Sequence, residues 1–66
     1  MHGVVTAFDA KDGVGIIDAE DGELVFFNSA NVRDVEEHTL AVGMRVKFVA
    51  HESELGVHAD FVELGD

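Results

Sequence analysis

Cysteine, proline, tryptophan and tyrosine are all absent from this 66-residue chain. Without cysteine, no disulfide or thiolate-bound zinc can staple the fold, so stability rests on a hydrophobic core alone. That core is thin, because a domain of this size removes only about 60% of its unfolded surface from water. Long apolar runs are missing too. None approaches the ~18 residues of a membrane-spanning helix, and no stretch resembles a signal peptide. Basic residues are the scarcest class. Four Lys and Arg face fourteen Asp and Glu, a formal charge of −10 that protonating all four histidines would reduce only to −6. Such a surface repels phosphate backbones and anionic lipid, and favours basic partners or none. The hydrophobic share of 47% is nevertheless high enough for folding. We expect a single domain over residues 1–66, from a soluble cytoplasmic protein or a fragment of one, with no metal, cofactor or membrane partner.

What is present is β-type sequence punctuated by turns. Asp12-Gly13 and Asp21-Gly22 are the strongest local signals. Glycine supplies the positive φ that a tight hairpin turn demands. The runs around them, Gly3 to Phe8, Val14 to Ala19 and Glu23 to Phe27, are rich in Val, Ile and Phe and predict a three-stranded meander. From Asn28 to Gly43 the pattern dissolves into a long connection. Ser29-Ala30-Asn31-Val32 is suited to one helical turn, and Asp34-Val35-Glu36-Glu37-His38 is too short and polar for a stable helix. Strand character returns at Arg45 to Ala50, with Val46, Phe48 and Ala50 on one side. A turn over Glu52 to Gly56 and a last strand from Val57 to Leu64 complete the chain.

Three strands, a long crossing and a final hairpin give the order of an all-β, five-stranded antiparallel Greek-key barrel of OB type. Closure removes the open edges that a flat meander would leave exposed. On strand count alone an SH3-like barrel is the rival.

The residues themselves carry a resemblance. Gly3, Val5, Phe8, Asp9, Gly13, Gly15 and Ile17 fall on the pattern G-x-V-K-W-F-N-x-x-K-G-F-G-F-I that opens bacterial cold-shock proteins. Val25-Phe26-Phe27-Asn28-Ser29 falls on that family's V-F-V-H-F, and Leu40, Gly43, Val46 and Phe48 match its L-x-x-G-x-x-V-x-F. Gly56, Ala59 and Val62 follow its closing strand more loosely. The resemblance spans essentially the whole chain and implies the same OB-type barrel. It also implies binding of single-stranded RNA or DNA, since cold-shock proteins stack bases on an aromatic face built from two short motifs.

That face is largely replaced here. Ala7 occupies the tryptophan position, Val14 and Ile16 the two phenylalanines of the first motif, and Asn28 and Ser29 the His and second Phe of the second motif. Thr6 and Asp12 stand where the family has flanking lysines. Phe26 is retained, and Phe8 matches as well, in a place suited to packing as much as to contact. A stacked base is worth about 1–3 kcal/mol, so losing several platforms lowers affinity by orders of magnitude. The resemblance therefore implies weak, non-sequence-selective binding of single-stranded nucleic acid. Phe26 and Phe8 are its stacking candidates, with modest electrostatic help from Lys11, Arg45 and Lys47.

The replaced face supports a second hypothesis. Val14 and Ile16 alternate onto one side of their strand, and with Ala7 and Phe26 they predict an aliphatic patch rimmed by Asp9, Asp12 and Asp18. Apolar patches with polar rims mark protein interfaces. The chain would then be an acidic protein-interaction module, engaging a basic protein, mimicking nucleic acid or forming a homodimer, unless the patch is simply β-forming surface or lies under the long loop. A third account of the acidity is a molar-salt cytoplasm, where the Debye length falls to about 3 Å and phosphate repulsion is screened. Salt restores no stacking, however.

The remaining polar residues point to little chemistry. Arg45 and Lys47 alternate outward and serve solubility as readily as phosphate contact, and Lys11 is a loop lysine. His2, His38, His51 and His58 match no two-histidine metal motif, which leaves open only a site assembled across strands. Ser29 and Ser53 fall in loops without a His-Asp arrangement, and no helix follows Asp12-Gly13-Val14-Gly15 to cradle a phosphate. We expect no enzyme.

Overall fold

The computed structural model describes residues 1–32 and 41–65. Five strands account for most of them: β1 His2–Asp9, β2 Val14–Ala19, β3 Leu24–Asn28, β4 Arg45–Ser53 and β5 Gly56–Leu64. They close into a barrel in the order β1-β2-β3-β5-β4. The stretch Asp34 to His38, expected to be connection rather than stable helix, and the motif residue Leu40 lie outside the described residues. Among those described, no helix is long and apolar enough to cross a membrane.

Local chemistry explains the turns. Gly13 and Gly22 adopt φ of 70° and 88°, the left-handed backbone that the two Asp-Gly pairs anticipate. In the first hairpin the Asp9 carboxylate accepts hydrogen bonds from the Lys11 and Asp12 amides at 3.0 and 3.3 Å, while Gly13 N–H donates to the Asp9 carbonyl at 2.7 Å. After β3, Ser29–Asn31 forms a 3₁₀ turn capped by the Asn28 side chain, which accepts from Ala30 N–H at 3.0 Å. The last hairpin is tighter than expected. β4 runs on to Ser53, whose hydroxyl accepts from Leu55 N–H and reaches the Gly56 carbonyl, both at 3.2 Å, so only Glu54 and Leu55 remain in the turn.

Alternation fills the barrel. Ile17 and Ala19 of β2 and Val25 and Phe27 of β3 point inward to meet Val5, Val46, Phe48, Ala59 and Val62. No polar or charged residue is buried among the described residues. Phe8 and Phe27 stack with centroids 5.9 Å apart and planes 3° from parallel. Between them in register lies Gly15, where a Cβ would fall 2.5 Å from the Phe27 ring. Only glycine leaves room for that ring.

The ladders are antiparallel with one exception. β1–β2, β2–β3, β4–β5 and β1–β4 run antiparallel, whereas β3 and β5 pair in parallel, Phe26 opposite His58. The expected description as antiparallel holds for the rest of the sheet, and parity explains the exception. Directions that alternate around a closed ring of five must repeat once, so one ladder is parallel. Two bulges bend the sheet, one between Val5 and Ala7 of β1 and one where β5 passes Lys47 and Val49 of β4. The second holds Phe61 at φ 54°, an uncommon conformation for a bulky residue.

Candidate nucleic-acid interface

The outward side chains of β1, β2 and β3 form a cross-strand row. Ala7 lies opposite Ile16, and Ile16 lies opposite Phe26. Together with Val14 and the edge of Phe8 they line an open groove of about 350 Å³. Phe26 is 44% exposed and Val14 46%. Gly56 lies next to the Phe26 ring: a Cβ there would stand 3.7 Å from the ring edge, in ordinary van der Waals range. Gly56 has φ 120°, so the tight β4–β5 turn needs glycine there.

The candidate residues separate into groups. Ala7, Phe8, Val14, Ile16 and Phe26 are brought together in this groove. Phe8 is half-buried, and its stack on Phe27 makes it a packing residue that offers the groove only an edge. Lys11 is exposed in the β1–β2 loop, which is tied toward the end of β3 by a 2.7 Å bond from Ser29 N–H to the Gly13 carbonyl. Arg45 and Lys47 do lie outside the barrel, but they pair in register with Val4 and His2, at the opposite end of β1 from Ala7 and Phe8. Lys47 is also bridged to Glu63 at 3.3 Å.

The acidic rim differs from the expected one. Asp9 lines the groove, whereas Asp18 lies in a separate depression with Arg45, Glu20 and His2. Asp18 shares the face of Val14 and Ile16, but each two-residue step advances about 6.6 Å along a strand, which carries it past the groove. Ser53 is a further correction. It ends β4 rather than lying in a loop, and its Oγ is 3.2 Å from His58 Nδ1. The same oxygen secures the hairpin turn, and the nearby carboxylate, Asp60 Oδ2, meets His51 Nδ1 at 2.7 Å instead of His58. The pair is a turn brace without the relay a nucleophile needs. Among the described residues, no group of three or more His, Asp or Glu could hold a metal ion.

The row does not stop at Phe26. His58 is its register partner across the parallel ladder, and His51 is the partner of His58 on β4. Ring centroids are 6.5 Å apart for Phe26–His58 and 5.7 Å for His58–His51. Strand alternation places His51 on the outer face, but only barrel closure shows that His58 stands beside Phe26 and His51 beside His58.

Comparison with known proteins agrees with this geometry. The family model for the 'cold-shock' DNA-binding domain matches residues 1–64. The chain belongs to the cold-shock domain family. A cold shock-like protein of Escherichia coli (strain K12), CspF, is 41% identical over 51 residues, covering 73% of this chain and 70% of that protein. The closed five-stranded barrel is the OB-type fold of a cold-shock domain, and the family is one of nucleic-acid binding. In this cold-shock domain the groove is lined by Ala7 and Phe8 of β1, Val14 and Ile16 of β2 and Phe26 of β3, with Asp9 at its edge.

Proposed function

We propose that the barrel is a non-enzymatic cytoplasmic protein that binds single-stranded RNA or DNA weakly and without sequence selectivity. The observation that carries this function is Phe26, a half-exposed aromatic ring that lines the groove outside β1, β2 and β3. A base stacks on Phe26 while its neighbour packs on Ile16, Val14, Ala7 and the edge of Phe8. Lys11 is placed for a phosphate at the loop end of the groove. Arg45 and Lys47 add only long-range attraction, because they sit away from the row and Lys47 is shared with Glu63. Stacking tolerates any base, which accounts for the lack of selectivity. The net charge of −10 opposes phosphate, which accounts for the weakness.

Fluorescence anisotropy with labelled oligo-dT and oligo-U, at low and at molar salt, tests this function. Saturable micromolar binding is expected, with a shallow salt dependence because few cations displace counterions. Phe26→Ala should weaken it about fivefold or more. Absence of binding up to several hundred micromolar at both salts overturns the proposal.

The aliphatic lining with Asp9 at its edge favours one alternative, an acidic module that buries Ala7, Val14, Ile16 and Phe26 against a basic protein partner. A nucleic-acid mimic or a homodimer would use the same face. Val14→Asp would then abolish association while the barrel stays folded.

A further inference from the structure

One belt of register-paired residues crosses the outer face of all five strands without closing between β4 and β1: Ala7 on β1, Ile16 on β2, Phe26 on β3, His58 on β5 and His51 on β4. The first two are aliphatic and the last three are rings. We infer that the base-stacking platform of this protein extends from Phe26 onto His58 and His51, so that a single strand of nucleic acid crosses the β3–β5–β4 side of the barrel. This inference rests on the nucleic-acid function proposed above and names where the strand goes.

Three observations support it. The rings stand in sequence across neighbouring strands, at 6.5 and then 5.7 Å, so a chain laid across the belt meets them one after another. Both imidazoles are held by their Nδ1 atoms, His51 on Asp60 Oδ2 at 2.7 Å and His58 on Ser53 Oγ at 3.2 Å. A ring fixed in advance loses less freedom when a base settles on it. Asp60, the carboxylate that meets His51, is engaged on both oxygens, by His51 and by Asn31 Nδ2 at 3.3 Å. It therefore acts as a holder for the platform. Imidazole presents a π-face to a base as other aromatic side chains do.

The test is anisotropy with labelled oligo-dT at low salt, comparing the unmodified protein with Phe26→Ala, His51→Ala, His58→Ala and His58→Phe. His2→Ala, exposed on β1 outside the belt, is the control, and circular dichroism checks that each variant is folded. His51→Ala and His58→Ala should each weaken binding about fivefold, His58→Phe should restore it, and His2→Ala should leave it unchanged. His51→Ala is decisive, because its ring neighbour is His58 and a loss there is not a displaced Phe26. If the unmodified protein binds and Phe26→Ala weakens it, yet His51→Ala and His58→Ala match the unmodified protein, the extended platform is wrong and the proposed function stands. Failure of His58→Phe to restore binding also overturns a stacking role. If the unmodified protein does not bind at all, both fall.

Discussion

Replacing Gly15 with alanine isolates one contact that holds the groove and the core together. The added Cβ would lie 2.5 Å from Cε1 and Cζ of Phe27 and 2.8 Å from the Ala7 carbonyl oxygen. Phe27 is only 3% exposed and is stacked on Phe8, so its ring cannot turn aside without opening that stack. Overpacking a core costs about 1–3 kcal/mol. Loss of a stacked aromatic pair adds about 0.5–1.5 kcal/mol, and the reduced freedom of the unfolded chain returns about 0.4–1 kcal/mol. The expected loss is therefore centred a little above about 2 kcal/mol, within about 0.5–4 kcal/mol, against a total stability of about 3–10 kcal/mol for a domain of this length. In a small domain each kcal/mol moves the melting temperature by about 4–8 °C, so a fall of roughly 10–20 °C should follow. The chain has no Trp or Tyr for intrinsic fluorescence, so the assay is thermal and urea unfolding followed by far-UV circular dichroism. Gly22→Ala is the comparison: nothing lies within 4 Å of its Cβ, but its φ is 88°, so it should lose only about 1 kcal/mol from backbone strain. A Gly15→Ala protein that melts within a few degrees of the unmodified one would refute the steric account. So would failure of Phe27→Leu, added to Gly15→Ala, to recover part of the loss.

Further outcomes follow from the turns, the surface and the core. Asp9→Ala removes the acceptor for the Lys11 and Asp12 amides and should cost about 1 kcal/mol in urea unfolding. Lys47→Ala breaks an exposed ion pair with Glu63 and should change stability by less than about 1 kcal/mol, with oligo-dT affinity nearly unchanged. Ile17→Ala empties a fully buried position at the barrel centre and should cost about 2–5 kcal/mol, enough to leave a detectable unfolded fraction by circular dichroism at room temperature.

Much of this architecture is legible in the chain because its cues are local. Asp12-Gly13 and Asp21-Gly22 mark turns through the φ they require, and alternation in Val14 to Ala19 separates Ile17 and Ala19 from Val14 and Ile16 without knowledge of the partners. The aliphatic groove follows from the same alternation, since Ala7, Ile16 and Phe26 belong to consecutive hairpins. Features set by distant pairing are not legible. Whether Lys47 serves a ligand or Glu63 depends on the β4–β5 register across a bulge, and whether Asp18 rims the groove depends on how far β2 carries it. His58 is separated from Phe26 by the whole long connection, so no window of sequence shows the two rings side by side.

The odd number of strands has a consequence for how the barrel breathes. The parallel ladder comprises, among the described residues, one register pair, Phe26 opposite His58, and one isolated bridge, Val32 opposite Val62. The β1–β2 and β4–β5 ladders are zipped along most of their length. Among the described residues the β3–β5 seam is the shortest ladder, one register pair against three for β1–β4, and it lies between a β1–β2–β3 leaf and a β4–β5 leaf that are also joined along β1 and β4. Phe26 and His58 face each other across that seam. A ligand gripping both rings would act as a clasp, slowing amide exchange at the seam more than in the hairpins and raising thermal stability with ligand concentration.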